Sequence, residues 1–239
     1  FKFKTFNTMA NEEKSIFTPI LIGGSLILLI SFAIRSTFGL FQIPIAEQFM
    51  WARSEFSMAI AIQNLAWGIG TPIFSAFAEK FGDRKAITVG LLLYALGVFI
   101  SSIASSPEAH QFLNVFIGFG IAGSGFGPIL AVVGRTTSPE KRSLALGITT
   151  AAGSAGQVVG PPFAAILLSM MPWSSVFVVF AIISLLTIAF VPLLKSNPIV
   201  SKNEVEENLR DALMDAIKDP TYIMLFLGFF SCGFQLAFI

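Results

Sequence analysis

The sequence predicts an all-α membrane protein: a six-helix transmembrane bundle followed by the start of a seventh helix. Three observations carry this. Hydrophobic residues make up 54% of the 239 residues and charged ones 12%, about half the charged share of a soluble domain, so one water-soluble core is excluded. The apolar residues gather in runs at roughly 18–46, 56–78, 86–104, 111–134, 143–169 and 174–194, with a seventh beginning near Tyr222. Each run suits a hydrocarbon layer about 30 Å thick. Finally, every Lys and Arg except Arg35 and Arg53 lies on one side of these runs.

Taken in order, residues 1–17 carry Lys2, Lys4 and Lys14 and form an N-terminal cytoplasmic segment under the positive-inside rule. The first run holds Arg35 at its centre. The second starts after Ser54-Glu55, a capping residue followed by an acid, and ends in a loop with Lys80, Arg84 and Lys85. The third has few polar residues, chiefly Thr88 and Tyr94. The fourth contains Asn114 and Ser124. Ser138-Pro139-Glu140 opens the fifth, flanked by Arg135, Lys141 and Arg142. The sixth again is nearly all apolar, apart from Ser184 and Thr187, and with the third suits lipid contact.

The six runs form a bundle over 18–194. Residues 195–219 then make a cytoplasmic linker, with a capping box at Ser201-Lys-Asn-Glu204. Beyond it Val205, Leu209, Ala212, Leu213, Ala216 and Ile217 recur at helical spacing, opposite Glu206, Glu207, Asp211 and Asp215. This is an amphipathic helix lying on the membrane or the bundle. Residues 220–239 are the truncated first helix of a second bundle. The chain opens on Phe1, with Met9 a natural start, and stops inside an apolar run. It therefore reads as a fragment that a missing six-helix half completes.

Composition also limits function. A net charge of +1 offers no footprint for nucleic acid, and the single Cys232 cannot form an internal disulfide. No residue pattern calls for a cofactor or a metal. Gly118-x-Gly120-x-x-Gly123 has dinucleotide-fingerprint spacing, but it lies inside an apolar span with no preceding strand. Ser124 lacks a base within reach, since the one histidine, His110, sits beside an external loop. The chain reads as no enzyme.

Arg35 is the residue that points to function. An ionised group at membrane depth costs at least about 2.5–3.5 kcal/mol and marks substrate or ion pathways. All 14 acids map to loops, helix ends or the linker, so none in this chain meets Arg35 at depth. Three partners fit its guanidinium fork: a substrate carboxylate, an acid in the missing half, or backbone carbonyls in a snorkelling pose. Ser31, Phe38, Gly39 and Gln42 fall on its face at helical offsets. Spans one, two, four and five hold the other polar residues and should line a cavity. Among these, Gln42, Gln63, Asn64 and Gln157 are candidates for orienting hydrogen bonds, and each serves equally as a bridge between helices.

The loop Ser75-Ala-Phe-Ala-Glu79-Lys80-Phe-Gly82-Asp83-Arg84-Lys85 resembles the Gly-x-x-x-Asp-Arg-x-Gly-Arg-Arg-Lys motif of the major facilitator superfamily. Glu79 stands for the acid, Lys80 for the base and Gly82 for the glycine. Ser75 replaces the first Gly, and Asp83 replaces a basic position. Gly147, Gly156, Gly160 and Pro161 match the family's span-five signature, with Ala164-Ala165 in place of its closing Gly pair. Gly156-x-x-x-Gly160 offers a small surface for a neighbouring helix, and Pro161-Pro162 should kink its own. The segments Arg35-Ser-Thr-Phe38-Gly39-Leu-Phe41, Gln63-Asn64-Leu-Ala-Trp67-Gly68 and Arg142-Ser-Leu144-Ala145-Leu-Gly147 are similar to the oxalate/formate-like and monocarboxylate-like branch. Asn114 stands where the family often has an arginine, four residues before Gly118.

The resemblance implies the N-terminal half of a 12-helix fold, with a site near the midplane and a loop at Glu79, Lys80, Gly82 and Arg84 that latches the cytoplasmic side. The expected function is a secondary transporter moving a small organic anion, a mono- or dicarboxylate, by alternating access. The alternatives are a transporter-like receptor and a carrier for a non-carboxylate solute. The expected location is the lipid bilayer of a bacterial plasma membrane, crossed several times, with the N-terminus cytoplasmic.

Overall fold

Residues 16–195 and 209–238 are described by a computed structural model. Helix α1 runs Pro19–Arg35, with Thr18 as its cap: the Leu21 N–H donates to Thr18 Oγ1 at 3.2 Å. A 3-10 turn, Phe38–Phe41, joins it to α2, Gln42–Phe49. Helix α3 covers Arg53–Phe81 and ends on Gly82, whose φ of +96° suits a residue without Cβ. Next come α4, Asp83–Ser101, and α5, Pro107–Ser124, capped by Ser106. Gly125 is extended and separates α5 from α6, Phe126–Thr136. Helix α7 spans Pro139–Met170, α8 Trp173–Thr187 with a 3-10 extension Ile188–Leu193, α9 Leu209–Lys218 and α10 Pro220–Phe238.

The apolar runs are the helices. Among the described residues, five segments are long and apolar enough to cross a membrane: Pro19–Phe49, Asp83–Ser101, Pro107–Thr136, Pro139–Met170 and Trp173–Leu193. The second expected span, α3, has 29 residues, about 44 Å at 1.5 Å per residue. It misses that apolarity because Ser57, Gln63, Asn64 and Thr71 lie along it. The cap of α3 is Ala52, two residues before the expected Ser54, and it makes no side-chain capping bond. Helix α7 continues as a single α-helix through Pro161 and Pro162. Within the expected linker, α9 covers the end of the amphipathic pattern, and its Met214 and Ile217 are exposed. The capping box at 201–204 and Val205 lie outside the described residues.

The core forms three apolar clusters. One gathers Phe38, Phe41, Phe56, Trp173, Phe177 and Phe180. Another joins α1 to α6 through Leu28, Phe32, Ile129 and Val133. The third seats Phe74 and Ala78 of α3 against Ala86 and Ala122. Helices α1 and α7 touch backbone to backbone. A methyl added at Gly156 would fall on the Leu29 carbonyl oxygen, and one at Gly160 on that of Ala33. Helices α4 and α8 present Leu92, Leu96, Phe99, Ile182 and Leu185 outward along an apolar groove.

Candidate functional site

Arg35 is the last residue of α1 and reaches α3 rather than any acid. Its Nη2 donates to Asn64 Oδ1 at 3.0 Å, and its Cζ lies 4.6 Å from the centre of the Trp67 ring. Its Nε is buried without a hydrogen-bond partner. The ion pairs formed among the described residues are Arg135–Asp83 and Lys218–Asp215; neither includes Arg35. A guanidinium carries five N–H donors and no acceptor, so most of its capacity stays open.

Beside this group lies a cavity of about 460 Å³ lined by Gly39, Gln42, Phe56, Ser57, Ile60, Ala61 and Asn64. At one end, Asn64 links the cavity to Arg35 by one hydrogen bond. At the other end, Gln42 Nε2 donates to Ser57 Oγ and to the Arg53 carbonyl, both at 3.2 Å. The face predicted around Arg35 is kept at Gly39 and Gln42 and lost at Phe38, which is 5% exposed and packs on Phe177. The backbone leaves α-geometry after Arg35, and the tighter 3-10 turn rotates Phe38 into the core.

The remaining candidates are placed elsewhere. Gln63 is 2% exposed and donates through Nε2 to Asn114 Oδ1 at 2.9 Å, while Asn114 Nδ2 donates to the His110 carbonyl at 2.8 Å. That amide pair ties α3 to α5 at the position where the family often has an arginine. Gln157 is half-buried on α7, outside the cavity lining. Ser31 Oγ donates to Ser124 Oγ at 3.4 Å, and Tyr94 Oη donates to the Ser31 carbonyl at 3.3 Å. These bonds stitch α1 to α5 and α4 one turn below Arg35.

Glu79 and Lys80, expected in a loop, fall instead in the last turn of α3, where both are exposed, with Lys80 Nζ 5.3 Å from the Phe81 ring centre. Asp83 pairs with Arg135 at the end of α6. Arg84 donates from Nε to the Leu194 carbonyl at 3.0 Å and from Nη2 to that of Pro192 at 2.8 Å, holding the last turn of the sixth run. Gly156, Gly160 and half-buried Pro161 face or flank α1, while Gly147 is exposed with open space around it.

Two partnerships escaped sequence reasoning. Trp67 falls three residues after Asn64, a helical neighbour on the same face, and that spacing was the available signal. Asp83 looked like a lost basic residue, and its meaning depends on Arg135, which is 52 positions away in sequence.

A family model, "Major Facilitator Superfamily", matches residues 24–239. Monocarboxylate transporter 13 of Bos taurus is 29% identical over 168 residues, covering 69% of this chain and 38% of that protein. Multidrug resistance protein MdtH of Salmonella choleraesuis is 27% identical over 222 residues, covering 90% of this chain and 53% of that protein. The chain thus spans about half or less of the length of these relatives. Among solved structures, it is similar to a bacterial homologue of the human lysosomal transporter Spinster, captured inward-facing and unoccupied. The TM-score is 0.64 at 18% identity, covering 87% of this chain and 50% of that one. With helix order, apolar spans and family model in agreement, this multi-pass, all-α membrane chain belongs to the major facilitator superfamily.

Proposed function

We propose that the protein carrying this chain is a secondary active transporter that moves a small organic anion, a mono- or dicarboxylate, by alternating access. One observation carries the reading: a guanidinium inside a membrane span has a neutral amide and an aromatic ring as its partners among the described residues, beside an open cavity. A substrate carboxylate supplies the missing charge, docking on Arg35 with Asn64 and Gln42 along its path. Gln63 serves this site indirectly, through α5, and Gln157 lies on the facing helix. The anion reading agrees with the name of the Bos taurus relative, Monocarboxylate transporter 13. The exposed end of α3 at Glu79 and Lys80 closes the cytoplasmic side against the second half. The location is a bacterial plasma membrane, with a cytoplasmic N-terminus.

Uptake into proteoliposomes by the full-length protein tests the reading directly. Arg35→Ala should abolish carboxylate uptake. Arg35→Lys should keep the charge but lose the fork, raising KM by roughly tenfold, the value of one good charge-assisted hydrogen bond. Wild-type uptake rates in both variants would remove Arg35 from the site. The match to a multidrug resistance protein favours a second reading, a carrier for a non-carboxylate solute. Under it, uncharged or cationic compounds are carried and Arg35→Ala leaves their flux intact. Tight carboxylate binding without flux would mark a receptor.

A further inference from the structure

We infer that Trp67 is the positioning residue of the anion site: its indole holds one face of the Arg35 guanidinium, so the cation meets a planar carboxylate in its own plane. The inference deepens the proposed function and rests on it. Guanidinium donors all lie in the plane of the group, whereas its faces are weakly hydrated and tolerate stacking on aromatic rings. Here α3 supplies both restraints from residues three apart. Asn64 takes an in-plane N–H at 3.0 Å, and the Trp67 ring covers the group at 4.6 Å. Nε is sealed in the protein. What remains for a ligand is Nη1 and the second Nη2 hydrogen.

The same contact sets the chemistry of the neighbouring amide. A guanidinium cannot accept a hydrogen bond, so Asn64 must turn Oδ1 toward it and keep Nδ2 as a free donor. Asn64 lines the cavity, and this end of the site therefore presents N–H donors from both side chains. That suits an acceptor-only oxyanion.

Trp67 is itself fixed. It meets Phe32 edge-on at 5.8 Å between ring centres, Phe32 meets Phe126 at 4.4 Å, and the indole packs against all three core clusters. A ring so held acts as a shelf, and a shelf that restricts the fork to one plane distinguishes planar carboxylates from tetrahedral sulfonates.

A residue touching three clusters also fills space, so the test must separate packing from electrostatics. Fluorinated tryptophans, introduced at position 67 alone, keep the indole shape while draining electron density from its face. Binding to the full-length purified protein is measured by titration with acetate, benzoate and succinate, each against its sulfonate counterpart. Stepwise fluorination should weaken carboxylate binding progressively, by roughly tenfold at the most fluorinated ring. Trp67→Phe should retain the preference for carboxylate over sulfonate, and Trp67→Leu should lose it.

Carboxylate binding that is flat across the fluorinated series, with the preference unchanged, overturns the role of Trp67. If Arg35→Ala abolishes binding in that same experiment, the proposed function survives without this refinement. If Arg35→Ala binds carboxylates like the unmodified protein, or the unmodified protein binds none of the three, both fall.

Discussion

Asp83 is 4% exposed and pairs with Arg135, which keeps 28% of its side-chain surface. A carboxylate so covered is tolerated only with its charge and lone pairs satisfied. Removing one partner takes this charge contact from the other. Asp83→Asn or Arg135→Gln should each cost about 1.5–3 kcal/mol, the range for a hydrogen bond to a charged group. The combined variant should cost less than the sum of the two. A double-mutant cycle on thermal unfolding of the full-length protein measures this coupling, and strict additivity would show that the pair contributes nothing. The same logic explains why sequence reading found Arg35 but missed its surroundings. A charge inside an apolar run is visible in one dimension, whereas the Asn64 contact spans 29 positions and the Gln63–Asn114 bridge 51. Polar partners in a bundle are chosen by helix packing, and spacing along one helix does not report it.

At the scale of elements, the three motif glycines of α7 divide by what surrounds them. Added methyl groups at Gly156 and Gly160 would meet carbonyl oxygens of α1, and neither backbone can yield without parting the two helices. Gly147 has nothing within 4 Å. Gly156→Ala and Gly160→Ala should each destabilise by about 1–3 kcal/mol, typical of overpacking, and leucine at either position should prevent folding. Gly147→Ala should melt as wild type or slightly above it, because alanine favours a helix by about 0.5–1 kcal/mol over glycine. Equal melting temperatures for all three alanine variants would contradict a packing role. Helix positions were legible because length and apolarity belong to whole runs. The interruptions were not. The 3-10 turn after Arg35 and the extended Gly125 between α5 and α6 depend on where each N–H finds its carbonyl, and apolar periodicity is blind to that.

Across the whole molecule the two ends differ in chemistry. One end holds Lys80 and brings together Arg135 with Asp83 and Arg84 with the Leu194 carbonyl. The other gathers aromatic rings: Trp51 lies 5.5 Å from His110 and 5.0 Å from Phe49, and Trp173 lies 6.3 Å from His110. Trp173 Nε1 also donates to Gln48 Oε1 at 2.5 Å. Basic clusters stay on the cytoplasmic side because carrying them across the membrane is costly, while Trp and Tyr settle at the interfaces. The basic end should therefore face the cytoplasm. Cys232 is the single cysteine of this chain, so a Cys232→Ser background of the full-length protein, cleared of any others, accepts reporters cleanly. Ser105 and Ser138 are both exposed, between α4 and α5 and between α6 and α7. In intact cells a membrane-impermeant maleimide should label Ser105→Cys and leave Ser138→Cys unlabelled until the membrane is opened. The reverse pattern would invert the bundle, so that the end of α3 at Glu79 and Lys80 would face outward.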